Sequence, residues 1–279
     1  FATLVMSKAH AVARSSLVPT TVESDSELVE ANAKLALGSA VVGFVAAAPA
    51  IAVLQLAGAA WALRLAAVFF VLTAVAAVRI VEVHPDDPAT RSVADAELAD
   101  RGIVLAATAM AVLRAMVGFL TFLIAFAFRR TGAPSWWFGI VLAASVGGTL
   151  VGAAVAPKLR ARLREERILA GALVVVAGGG LVAARLGGRP AATVAAALLG
   201  VAAATGKLAF DSLVQRDAPD AVQGRSFARF EAIFQLVWVV GALVPVLVPV
   251  PDDVGYFLLS LAALLTAVAY GTGRLRRPR

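Results

Sequence analysis

The sequence predicts an all-α polytopic membrane protein with about eight transmembrane helices, and three observations carry that prediction. Of 279 residues 61% are hydrophobic and 15% charged, with mean hydropathy +0.88, against about 45–50% and about 25% in soluble domains. Long uncharged runs recur, each close to the roughly 20 residues that a helix needs to cross a bilayer core of about 30 Å. The basic residues alternate between loops, which accounts for the net charge of +7 without a nucleic-acid partner. With no cysteine and only His10 and His84, disulfide, thiolate and zinc chemistry have no residues to use.

The elements follow in order. Residues 35–56 form the first span, and Gly58 lies where the chain can turn into the second, 61–78. Spans three to eight are 102–128, 135–156, 168–184, 190–210, 232–250 and 254–273. Upstream, Ser24 and Glu27 have capping-box spacing and open a short polar helix into the first span. Residues 79–101, with Pro85, Pro88 and the acids Glu82, Asp86, Asp87, Asp95, Glu97 and Asp100, form a solvated linker between two bundles. Eighteen of the 25 basic residues fall on one side of this topology, at 1–34, 79–101, 157–167, 211–231 and in the tail 274–279. The opposite side carries Arg64, Arg129, Arg130, Arg185 and Arg189. The excess orients the first set, and with it the C-terminus, to the cytoplasm of a cell membrane.

Several residues then resemble the major facilitator superfamily, the twelve-helix secondary transporters built from two six-helix halves. The stretch 13–19, Ala-Arg-Ser-Ser-Leu-Val-Pro, and 27–35, Glu-Leu-Val-Glu-Ala-Asn-Ala-Lys-Leu, look like the loop between helices four and five of bacterial drug- and siderophore-exporter-like members. Gln215-Arg216-Asp217-Ala218-Pro219-Asp220 with Gly224-Arg225-Ser226-Phe227 resembles the loop between helices ten and eleven. The resemblance implies the C-terminal two-thirds of a twelve-helix fold, from the end of helix four to helix twelve. Residues 35–78 would then close the N-terminal bundle and 102–273 form the C-terminal one. The helix-five motif maps to Gly38, Gly43 and Pro49, and the cytoplasmic motif between helices eight and nine to Gly152–Arg160, where Ala156 replaces the acid and Lys158, Arg160 and Arg162 keep the basic part.

Function is expected in a few polar positions. Arg114 lies 12 residues into the third span, or roughly 18 Å at 1.5 Å per residue, and a charge there costs at least about 2.5–3.5 kcal/mol unless it faces a cavity or partner. It shares a small or polar helix face with Gly118 and Thr121, suited to an anionic solute group or to a carboxylate outside this chain; a tie to backbone carbonyls is the structural alternative. Gln235, Trp238, Ala242, Pro245 and Pro249 share a face of the seventh span, where proline permits the discontinuity that lines many transport sites. Lys207 precedes Asp211 by four residues, a same-face pair. The resemblance implies a cytoplasmic gate of Lys207, Asp211, Arg216, Gly224, Arg225 and Arg229; snorkelling of Lys207 is the alternative. Glu231 suits a helix start. Trp136 and Trp137 suit an interfacial belt, and Gly148 and Gly152 close helix contact.

On this reading no Asp or Glu lies inside a span, so a coupling proton would need an acid elsewhere. The expected partners are the lipid bilayer and a small-molecule solute; no cofactor, metal or nucleic acid is expected. Secondary active transport by alternating access, in the efflux direction, is the function the resemblance implies. A membrane-embedded transferase of lipid headgroups, or the permease subunit of an ATP-driven transporter, is the alternative.

Overall fold

The computed structural model describes residues 25–77, 101–217 and 223–275. The expected linker at 79–100, the stretch 13–19 and the loop 218–222 lie outside the described residues. Among the described residues eight helices follow one another: α1 Asp25–Ala57, α2 Ala59–Ala77, α3 Arg101–Arg130, α4 Trp136–Arg160, α5 Glu165–Leu186, α6 Gly188–Asp217, α7 Gln223–Leu247 and α8 Asp252–Leu275. The helices α3 to α8 are each long and apolar enough to cross a membrane, and α2 has the shorter apolar stretch Ala60–Leu72.

Every expected span is a helix, and most helices outrun it. The polar turn before the first span merges with it into α1, which continues through Pro49. The break comes at Gly58, whose φ of 85° is open to glycine at little cost. The larger corrections concern α6 and α7. The expected loop 211–231 is helical up to Asp217 and again from Gln223, and its Asp211, Arg216 and Glu231 meet opposite charges within the bundle. Pro249, expected on the working face of α7, lies beyond that helix, which ends at Leu247.

Close approaches between backbones set the packing. A Cβ on Gly118 would overlap the Trp238 carbonyl, and one on Gly241 would overlap that of Ala115, so α3 and α7 interlock from both sides. The pair α4 and α6 does the same through Gly148 against Ala197, Gly152 against Val201, and Gly200 against Ser145. Without a hydrophobic force between helices in lipid, such small-residue contacts supply the dispersion energy of association. A core of Met110, Leu113, Leu123, Leu169, Leu173, Phe210, Phe234 and Tyr256 joins α3, α5, α6, α7 and α8. Apolar residues such as Leu236, Val240, Phe257, Leu261 and Leu265 remain exposed, as a lipid-facing surface requires.

The α1 helix docks on this group through a separate small cluster, in which Ala33 packs with Ala153, Ala156 and Leu208, and Leu37 borders them. Ala156, standing where the motif has an acid, is buried there. A side chain of one carbon lets α1 and α4 approach where a carboxylate would need a partner.

Candidate functional site

Two ionic clusters stand at different depths. The first closes the end of the bundle where α4 finishes, α5 begins and α6 finishes. The pair Glu165-Glu166 opens α5, where negative charge suits the helix dipole, yet both side chains are buried. Arg216 reaches back from α6 to donate to Glu165 Oε2 at 2.8 Å and to Glu166 Oε1 at 3.4 Å. Arg160 Nε lies 2.7 Å from Glu165 Oε1, and Arg164 Nε 3.9 Å from Glu166 Oε2. Three arginines thus surround two carboxylates. Neither glutamate was singled out by sequence. The available signal was an adjacent acid pair at a helix start, alone in an otherwise basic loop.

The second cluster lies deeper, between α6 and α7 and beside α3. Lys207 donates to both Asp211 oxygens, at 2.5 and 2.7 Å, and its Nζ is 4.0 Å from Glu231 Oε2. Gln235 Nε2 donates to Glu231 Oε1 at 2.9 Å. Arg114, on α3, is close enough to act electrostatically on Asp211, and its buried Nε has no hydrogen-bond partner among the described residues. Lys207 lies ten residues before the end of α6, about 15 Å of helix, and its ammonium is taken up by Asp211. Asp211 and Glu231 are helical rather than in the expected loop, near the end of the membrane-crossing length of α6 and at the start of that of α7. Partnering explains it: a carboxylate is tolerated at this depth when an ammonium and an amide satisfy it.

An aromatic layer borders this cluster. Phe210, next to Asp211, meets Phe230 and Phe234 edge-on at 5.3 and 5.2 Å between centroids.

The other expected positions separate. Gly118 serves the contact with Trp238, whose ring packs edge-on against Phe122 at 6.1 Å. Thr121 is exposed and returns its hydroxyl to Val117 O at 2.7 Å. Of the expected gate, Lys207 and Asp211 pair with each other, Arg216 joins the first cluster, and Arg229 is exposed. Gly224 and Arg225 fall in the first turn of α7, and their side chains lie outside the described residues. On α1, a Cβ at Gly38 or Gly43 would meet open space. Trp136 and Trp137 stack at 4.8 Å, with the Arg189 guanidinium 5.8 Å from the Trp137 ring centre. Among the described residues no group of three His, Cys, Asp or Glu side chains could hold a metal ion.

Comparison with known proteins adds a family and a fold. The profile of a family described as transmembrane secretion effector, within the major facilitator group, matches residues 100–278. Among solved structures, one titled as a bacterial homologue of the iron transporter ferroportin in an outward-facing state superposes with a TM-score of 0.68. It is 21% identical, over 93% of this chain and 67% of that one, a likeness of fold. No curated protein matches.

Proposed function

Since the chain belongs to the transmembrane secretion effector family of major facilitator transporters, we propose that it carries a small organic solute outward across the plasma membrane by alternating access. The pathway runs along α3 and α7, with Arg114, Gln235 and Trp238 toward the solute and the cluster around Lys207 at its base. In this reading α1 and α2 belong to an N-terminal bundle and α3 to α8 form the C-terminal one, with the C-terminus in the cytoplasm.

The observation that carries the reading is Arg114. A guanidinium midway along a membrane-crossing helix, with a buried donor left unused, is costly for packing alone. It is explained if the donor serves a solute. In the same reading α1 meets α4 and α6 through Ala33, bordered by Leu37, near the end carrying Lys158 and Arg160.

The test is solute export from cells expressing wild type or Arg114→Ala at matched membrane abundance, over a panel of cationic, neutral and anionic compounds. Export lost in the variant for every compound that wild type moves supports the pathway. Unchanged export assigns Arg114 to structure and overturns it.

A further inference from the structure

The turn that joins α4 to α5 separates its charges by burial. Glu165 and Glu166 are buried and held by Arg160 and Arg216, whereas Lys158, Arg162, Arg164 and Arg167 are exposed. Arg164 Nε stands 3.9 Å from Glu166, and Lys158, Arg162 and Arg167 form no ion pair among the described residues. The surface of the turn is therefore cationic, although its sequence carries two acids. The four bases fall into two pairs, each spaced by about one helical turn. Lys158 and Arg162 finish α4, whose backbone hydrogen bonds continue through Ala161, Arg162 and Leu163. Arg164 precedes α5 and Arg167 lies in its first turn, with the Arg167 and Ile168 amides donating to the Arg164 carbonyl. Each pair stands at the head of an exposed apolar stripe. On α4, Val151 and Val155 lead to Lys158 at steps of four and three residues. On α5, Gly171, Val174, Gly178 and Leu181 follow Arg167 at alternating steps of four and three, and all are exposed. A Cβ on Gly171 or Gly178 would meet open space. Such steps keep residues on one helix face.

We propose that this turn is a binding surface for anionic phospholipid, each basic pair holding a phosphodiester while an acyl chain lies along the stripe beneath it. Both helices are long and apolar enough to cross a membrane, so the stripes lie at the depth of acyl chains and the bases at that of headgroups. The order of charge and apolar surface along each helix is that of a phospholipid, head then tail. Phosphatidylcholine offers the same chains, but its ammonium cancels the phosphate charge and repels the bases; phosphatidylglycerol keeps the charge and has no cation of its own. Burial of Glu165 and Glu166 against Arg160 and Arg216 leaves the exposed bases to the lipid. At the opposite end of the bundle bases are engaged by the protein itself: Arg130 donates to the Val250 carbonyl, and Arg189 lies over the Trp137 ring.

The experiment is native mass spectrometry of the purified protein with equimolar phosphatidylglycerol and phosphatidylcholine, counting the lipids that stay bound. Wild type is expected to retain phosphatidylglycerol in preference. Arg164→Gln combined with Arg167→Gln, which changes only exposed side chains, should lower that preference at least about tenfold, at about fivefold for each base. Lys158→Gln combined with Arg162→Gln should do likewise. Arg129→Gln with Arg185→Gln removes two exposed bases from the opposite end and should leave the preference unchanged. Where a double variant does not assemble, Arg167→Gln alone takes its place, with a fall of about fivefold expected. Equal retention of the two lipids by wild type, a preference that survives in both double variants of the turn, or an equal fall in the Arg129 and Arg185 variant overturns the proposal. Displacement of the bound lipid by an equal concentration of glycerol 3-phosphate would mean a site for free phosphate, and overturns it as well.

Discussion

The two ionic clusters are made of the same residue types and are held differently. At the end of the bundle Glu165 meets Arg160 at 2.7 Å and Arg216 at 2.8 Å, while Glu166 meets Arg216 and, more distantly, Arg164. Cations outnumber acids there, and the arrangement ties the start of α5 to the ends of α4 and α6. In the deeper cluster one ammonium serves two acids, and the neighbouring guanidinium has a donor left over. An excess of cations suits a fastening; one ammonium shared between two acids suits a site that exchanges partners. Depth sharpens the contrast, since lower dielectric raises both the value of a satisfied pair and the cost of an unsatisfied one.

Substitutions that separate fastening from exchange test this contrast. The largest stability effect is expected for Glu165→Ala, which leaves Arg160 and Arg216 facing each other without their shared carboxylate. A loss of about 3–5 kcal/mol is expected in denaturant or thermal unfolding of the purified protein, and a loss under about 1 kcal/mol would refute the fastening role. In the deep cluster, Lys207→Met combined with Asp211→Leu and Glu231→Gln removes the ammonium and both acids it serves. Stability should change by no more than about 1–2 kcal/mol, since uncharged residues of similar volume replace buried ionic groups without large cost, while export falls to background. Export near the wild-type rate in that triple variant would mean that the cluster only packs.

Smaller effects bear on geometry. Gly118→Ala drives a methyl into the Trp238 carbonyl, and forcing α3 from α7 should cost about 1–3 kcal/mol of stability. Because those helices carry Arg114 and Gln235, export should fall with it; full activity would show that their spacing is unimportant. The least effect is expected for Arg164→Ala, whose side chain is 73% exposed and 3.9 Å from Glu166. A change within about 0.5 kcal/mol is expected from the same unfolding measurement, and a larger one would place Arg164 among the fastening residues.

Much of this architecture was legible in advance from particular residues. The uncharged runs located the eight helices among the described residues, the turn at Gly58 was marked by its glycine, and Gly148 and Gly152 announced the contact that α4 makes with α6. The candidate site was legible in pieces. Arg114 stood out because its charge interrupts a long apolar run, and Lys207 with Asp211 because four residues bring them to one helix face. Placing Asp211 and Glu231 in a loop was the misreading. Hydropathy assigns a cost to every charge as though it faced lipid, and so ends α6 early and starts α7 late.

Helix identity, length and alternating charge are properties of local composition, since each backbone must satisfy its own hydrogen bonds in a bilayer and each loop stays with its charge. The sequence alone determined those. Whether a buried charge is tolerated depends on groups distant along the chain: Glu231 across from Lys207, Arg216 fifty residues beyond Glu166. Those neighbours exist only once the helices have packed, so the tertiary structure decided which acids enter the bundle and which cations meet them.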